Sequence, residues 1–179
     1  MGWKFELMSQ QVLIAGIGNI FLQDDGFGAE VARRLSAEHL PGWVRVKDFG
    51  IRGVHLAYEM LDGGYDTTIL IDAVPRGEEP GTVYLIEPDL ETVDEQAPVS
   101  LDAHGMDPRA VFAAVKSLGR IRGRVFIVGC EPLQTDEGIG LSEPVAYGVE
   151  EAITLIHSIL ENLQDGKFNG GVDIIPQGR

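Results

Sequence analysis

Apolar residues along this chain follow two rhythms that alternate with each other. The first is the short, nearly continuous apolar run. It begins at Val12 to Ile14 and continues to Ile17, and it recurs at Thr67–Val74 with β-branched residues throughout. Runs of this length and content are strands buried on both faces, so both belong in the middle of a sheet. Thr82–Ile86 and Arg124–Val128 are shorter runs of the same kind, and Val44–Phe49 alternates weakly, as expected of a strand nearer the sheet edge. The second rhythm is helical. Phe27, Val31 and Leu35 recur at i, i+4, i+8 in a helix expected to end near His39, before the break at Pro41-Gly42. His55–Leu61 forms a short helix on Leu56 and Met60. Asp107-Pro108 supplies an N-cap and first-turn proline to a helix that turns Val111, Phe112, Val115 and Leu118 inward. The last helix, Pro144–Leu163, carries a stripe of Val145, Val149, Ile153, Ile156, Leu160 and Leu163.

Strands alternating with helices predict an α/β fold, a three-layer α/β/α sandwich around a five-stranded, mostly parallel sheet. No helix fits between Thr67–Val74 and Thr82–Ile86. A parallel crossover needs one, so the fourth strand is expected to run antiparallel. The pattern divides the chain into an N-terminal extension (1–10, with Met8 an alternative start), a single α/β domain (11–164) and a flexible, glycine-rich tail (165–179). The acidic, irregular stretch from Pro88 to Gly105 is long for a connection inside a compact domain, a length that marks either a functional loop or local disorder.

Composition narrows the class of partner. With 28 Asp and Glu against 14 Lys and Arg the formal charge is −14, which disfavours nucleic acid and anionic membrane surfaces. The single cysteine, Cys130, precludes an intrachain disulfide and a cysteine-based zinc site and fits a reducing cytoplasm. No apolar run approaches the length of a membrane span, and Met1 to Gln11 has no signal-peptide core. The expectation is a cytoplasmic protein.

Chemistry gathers after the first strand. Gly16-Ile-Gly18 opens a tight exit, and Asp24 and Asp25 follow just before the first helix. The stretch begins like a dinucleotide fingerprint, but Phe21 stands where the third glycine belongs, and two carboxylates would face a pyrophosphate of like charge. Two readings remain locally open: a plain helix N-cap, or one carboxylate capping the helix while the other binds a metal. Asp72, near the carboxyl end of the third strand, and His104, in the long loop, converge on the same sheet edge, where open α/β sheets bind ligands. Two carboxylates and an imidazole suffice for a divalent transition metal with open positions. His39, His55 and His157 lie in or beside helical patterns and read as structural or solvent-facing. Glu131 could line the same crevice, Asp136 reads as a solvated loop residue, and Cys130 lacks a nearby base that would activate it as a nucleophile.

With these residues in place, the chain from about Val12 to Leu163 resembles the hydrogenase maturation endopeptidases. The resemblance is carried by Gly16-Ile-Gly-Asn-Ile-Phe-Leu-Gln-Asp-Asp-Gly-Phe-Gly28, Leu70-Ile-Asp-Ala73, Asp102-Ala-His104-Gly-Met, Gly129-Cys-Glu-Pro132 and Gly138-Ile-Gly-Leu-Ser142, in that order. It implies that the domain is an endopeptidase acting on the precursor of a nickel–iron hydrogenase large subunit, removing a C-terminal extension once nickel is in place. It also implies that Asp25, Asp72 and His104 are both the metal ligands and the catalytic set. Many relatives carry Glu where Asp25 stands, which shortens the reach here by a methylene. Nickel would arrive with the substrate, zinc or cadmium being able to take its place, and the isolated protein would be a monomer. The competing readings are a non-catalytic nickel-binding chaperone and a peptidase or amidase with another substrate on the same fold.

Overall fold

The computed structural model of the chain describes residues 10–90 and 108–167. Its elements run β1 (Val12–Ile17), a 3-10 turn (Gln23–Gly26), α1 (Phe27–Ser36), β2 (Val44–Gly50), α2 (Gly53–Asp62), β3 (Thr67–Ala73), β4 (Val83–Ile86), α3 (Pro108–Leu118), β5 (Arg124–Cys130) and α4 (Glu143–Gln164). The strands form one sheet in the order β2-β1-β3-β5-β4. Every neighbouring pair is parallel except β4 with β5, so the strand with no helix before it is the antiparallel one. β2 lies at an edge and β3 in the middle, as the weak alternation of one and the continuous apolarity of the other require.

The period-2 geometry of the strands sorts the core into two halves. Val12 and Ile14 of β1, Ile69 and Ile71 of β3, and Phe126 and Val128 of β5 pack with Phe27, Val31 and Leu35 of α1 and the apolar stripe of α4. Leu13, Ala15, Ile17, Leu70, Val125 and Ile127 face the other way, onto Leu56 and Met60 of α2 and Val111, Phe112 and Val115 of α3. The result is a three-layer sandwich with α1 and α4 on one side and α2 and α3 on the other. No helix among the described residues is long and apolar enough to cross a membrane.

Several element ends differ from the sequence reading. α1 stops at Ser36 rather than near His39, because the N–H groups of Ala37 and Glu38 turn to carbonyls three residues back, at Arg34 and Leu35. α2 begins two residues before His55, at Gly53, a poor helix former that gives no sequence signal. β5 continues through Gly129 to Cys130, bonded to β3 on one side and β4 on the other. Glycine suits this position because a Cβ there would lie 2.4 Å from the ring of Tyr84. The expected N-cap Asp107 and most of the stretch from Pro88 to Gly105 lie outside the described residues.

From β1 the chain passes through α1 to β2 on one side, then returns through α2 to β3 on the other. The carboxyl ends of β1 and β3 therefore flank a point where the direction of winding reverses, the place such sheets leave open for a ligand.

Candidate active site at the carboxyl edge of the sheet

Close backbone packing makes this edge. Gly28 at the start of α1 rests on both central strands: a Cβ there would lie 2.1 Å from the carbonyl oxygen of Ile71 and 2.3 Å from that of Ile17. Gly18 leaves β1 with φ of +119°, a conformation that favours glycine. A Cβ on Gly18 would fall 1.9 Å from the carbonyl oxygen of Asp25 and 3.5 Å from Oδ1 of Asp72. The exit of β1 thus threads between the backbone of one candidate acid and the carboxylate of the other. Register agrees: Gly16 pairs with Ile71, which sets Asp72 beside the Ile17-Gly18 exit. The glycines that began like a dinucleotide fingerprint serve this packing.

The adjacent acids Asp24 and Asp25 have separate roles, and neither caps α1. The N-cap position is Gly26, without a side-chain bond, because the 3-10 turn Gln23–Gly26 carries both acids ahead of the helix. This corrects the expectation that one of them is a cap. Asp24 is fully buried, and its carboxylate accepts hydrogen bonds from the N–H groups of Leu133 (2.9 Å), Gln134 (3.0 Å) and Ser142 (2.6 Å) and from the Ser142 hydroxyl (2.9 Å). It ties the β1–α1 connection to the β5–α4 loop, across more than a hundred residues of chain. No local pattern announces that role. Asp25 is half-buried; its Oδ2 accepts from the N–H of Asn19 at 2.6 Å. Burial pushes the Asp25 carboxyl above the usual carboxylate range, and the Asn19 bond offsets only part of the rise.

Asp72, 2 % exposed, borders a cleft of about 530 Å³ on the α3 side of the sheet, whose walls include Val74, Arg76, Ile86, Arg109 and Phe112. The wall after β3 is fixed by Glu131, whose carboxylate accepts from the N–H groups of Arg76 (2.7 Å) and Gly77 (3.2 Å). The Tyr84 hydroxyl donates to the carbonyl of Val74, and the Arg76 guanidinium lies 5.0 Å over the Tyr84 ring. Glu131, a candidate lining residue of the crevice in the sequence, is a buried anchor for the crevice's wall.

The structure therefore brings Asp25 and Asp72 to one edge, while His104 lies outside the described residues. No cluster of three His, Cys, Asp or Glu able to hold a metal is present among the described residues. Asp136 is on an exposed loop. His39 and His55 are exposed on the surface, and His157 meets Glu38 at 2.8 Å. Cys130 is fully buried; burial, followed by the charges of Asp24, Glu151 and Glu131, pushes its thiol up to about 12. A thiol held neutral in this way is no nucleophile at neutral pH, which removes a cysteine-based hydrolase. What remains is a pair of oxygen donors, Asp25 and Asp72; the stretch around the first, residues 12–32, contains no Lys, Arg or His, and Arg76 near the second lies over the Tyr84 ring. Such donors suit a divalent cation.

Comparison with known proteins identifies the family. The family model for hydrogenase maturation proteases matches residues 29–159. A Methanocaldococcus jannaschii protein provisionally named a hydrogenase maturation protease is 35% identical over 153 residues, covering 84% of this chain and 96% of its own. The crystal structure of hydrogenase 2 maturation peptidase from Thaumarchaeota archaeon SCGC_AB-539-E09 superposes with a TM-score of 0.65 at 30% identity, over 84% of this chain and 98% of that one. The Escherichia coli hydrogenase maturating endopeptidase HybD shares the fold, with a TM-score of 0.68 at 24% identity over 86% of this chain and 94% of its own. The chain is a peptidase of the hydrogenase maturation protease family.

Proposed function

We propose that this peptidase removes the C-terminal extension from the nickel-loaded precursor of a nickel–iron hydrogenase large subunit, with Asp25, Asp72 and His104 as the residues that meet the metal. The observation that carries the reading is the juxtaposition of Asp25 and Asp72 across Gly18, in a peptidase whose single thiol is buried and neutral. In this reading nickel is cargo of the substrate, held by the precursor's own cysteines, and the protease completes its coordination. A divalent ion bound there supplies Lewis acidity to a peptide carbonyl or to water. The chain's own residues do the rest. Asp25 and Asp72 offer oxygen donors, and His104 offers a nitrogen. A carboxylate not engaged with the ion is placed to take the proton of the attacking water. The cleft beside Asp72 has room for the polypeptide flanking the scissile bond. Because neither partner alone completes the site, nickel-loaded precursor is cut and apo-precursor is left intact. The single buried cysteine supports action in the cytoplasm, where hydrogenase precursors would be met before export or assembly.

The test is the intact mass of a nickel-loaded large-subunit precursor before and after incubation with the protein. Asp25→Ala, Asp72→Ala and His104→Ala variants run in parallel. Loss of a single C-terminal fragment, absent with the variants, is expected. Tight binding with unchanged mass would mean a chaperone, and neither binding nor cleavage would overturn the substrate.

A further inference from the structure

Beside the candidate site, on the α1–α4 side of the sheet, large apolar side chains stand in solvent on a fixed backbone. Ile20 is 52% exposed, Phe21 62%, Leu133 55% and Ile139 82%. They come from two loops that the chain fastens together. The Gln23 N–H donates to the Gly138 carbonyl at 3.1 Å, the Gly138 N–H to the Phe21 carbonyl at 2.9 Å, and the Asp24 N–H to the Gln134 carbonyl at 3.2 Å. The buried Asp24 carboxylate then holds Leu133, Gln134 and Ser142 from beneath. Between the loops runs a groove of about 500 Å³ with Ile20, Gly26 and Ala29 on one wall and Ile139, Leu141 and Ala146 on the other. Clustered exposed apolar groups on rigid loops mark an interaction surface, since little ordering entropy remains to be lost on binding.

The surface adjoins the candidate site. Asn19, whose N–H bonds the Asp25 carboxylate, accepts from the Phe21 N–H through its own Oδ1 at 3.0 Å. The cleft beside Asp72 lies on the α3 side, so the two surfaces open on opposite faces of the sheet edge with the acids between them.

Charge selects the occupant. Residues 131–150 contain Glu131, Asp136, Glu137, Glu143 and Glu150 and no Lys, Arg or His. Residues 18–32 add Asp24, Asp25 and Glu30, and Asp48 also lines the groove. Arg33 and Arg34 stand on its wall too, but Arg33 is ion-paired to Glu30 and Arg34 to Glu30 and Glu150, so the border stays net acidic. A second copy of a chain with formal charge −14 would bring the same acidic border against itself, and an anionic membrane would be repelled as well.

We infer that the rim of Ile20, Phe21, Leu133 and Ile139 docks the folded body of the large-subunit precursor, through an apolar patch bordered by Lys and Arg, while the extension to be cut enters the cleft on the other side of Asp25 and Asp72. The inference rests on the function proposed above. It makes recognition two-sided: the rim reads the body, and the cleft receives the segment being removed.

The experiment compares wild-type protein with a Phe21→Glu/Ile139→Glu double variant and with Ile139→Glu alone, using nickel-loaded precursor and reading kcat and KM separately. Both side chains are exposed, so melting temperatures should match, and the single variant at the most exposed position serves if the double variant folds poorly. KM is expected to rise about tenfold or more in the double variant, with kcat changed less than about twofold. Added salt should raise the wild-type KM. Unchanged KM in the variants, with the wild type still cutting, overturns the docking surface and leaves the activity standing. A fall in kcat alone likewise overturns docking. Wild-type protein that neither binds nor cuts the precursor overturns both. Self-association of the wild type at micromolar concentration, abolished by the substitutions, would assign the rim to a second copy and overturn the inference.

Discussion

Asp24 and Glu131 stand at the same sheet edge as Asp25 and Asp72, yet the two pairs serve different ends. The first pair spends its oxygens on the protein. Asp24 accepts from Leu133, Gln134 and Ser142, and Glu131 accepts from Arg76 and Gly77, so each buried charge fixes a loop. Of the second pair, Asp72 borders the cleft on the α3 side and Asp25 is half-buried beside the exit of β1. Asp25 is one position from Asp24, but its carboxyl is raised by burial that the single bond from Asn19 does not cancel. A buried carboxylate surrounded by N–H donors is a structural device. One held at an edge with burial uncompensated stores a tendency to bind a proton or a cation.

If this division is right, substitution at adjacent positions should have opposite signatures. Asp24→Ala removes a buried charged acceptor and strands the N–H groups it served, each costing about 1–3 kcal/mol. A loss of about 4 kcal/mol is expected in urea unfolding, with the β5–α4 loop detached. Asp25→Asn should leave urea stability within about 1 kcal/mol of wild type, because it removes a charge that burial penalises. Cleavage of the nickel-loaded precursor should instead fall by at least about 10²-fold. A destabilised but chemically competent Asp25→Asn protein would break the comparison. Glu131→Gln belongs with Asp24 but should cost less, about 1–2 kcal/mol, since the amide oxygen keeps one of its two N–H donors. Its cleavage defect should appear in KM, as the Arg76–Gly77 wall of the cleft loosens.

How far these roles could be read beforehand depends on the distance over which each is determined. The layers, the central place of β3 and the antiparallel β4 follow from local apolar pattern and connection length, both present in a window of a few residues. The placement of Asp25 and Asp72 at one edge was legible for a related reason. Strand ends in such a sheet converge by topology, so an acid at each end is enough to bring them to one edge. The job of Asp24 was not legible, since its partners at Leu133, Gln134 and Ser142 meet it only after α4 docks against α1. Locally it looked like a helix cap, the commonest use of Asp before an amphipathic run. Only the intervening 3-10 turn Gln23–Gly26 shows why it is not. The anchoring of the cleft wall by Glu131 was hidden in the same way, in contacts some 55 residues apart.

Glu30 supplies the partly exposed counterpart. It lies in the first turn of α1, and its carboxylate accepts from Arg33 Nε (2.8 Å), Arg33 Nη2 (2.8 Å) and Arg34 Nε (2.8 Å). By number of partners it rivals Asp24; by burial it does not. The Arg33 bonds, with help from Arg34, hold its carboxyl down to about 2 from an ordinary 4.5. A carboxyl depressed on folding contributes stability that is fully present above the unfolded value and is lost as pH falls through the folded one. The Glu30 contribution should therefore hold at pH 7 and fade between about 4.5 and about 2. Solvent screening of this partly exposed group limits it to well under about 1 kcal/mol. Glu30→Gln is expected to lower urea stability by about 0.5 kcal/mol at pH 7, with the difference between variant and wild type closing toward pH 2. Because both proteins carry every other carboxylate, that difference isolates this group. A loss as large as that of Asp24→Ala would mean that the number of donors, rather than burial, sets the worth of a carboxylate here. The distinction between the anchoring acids and the acids of the candidate site would then fail at its physical root.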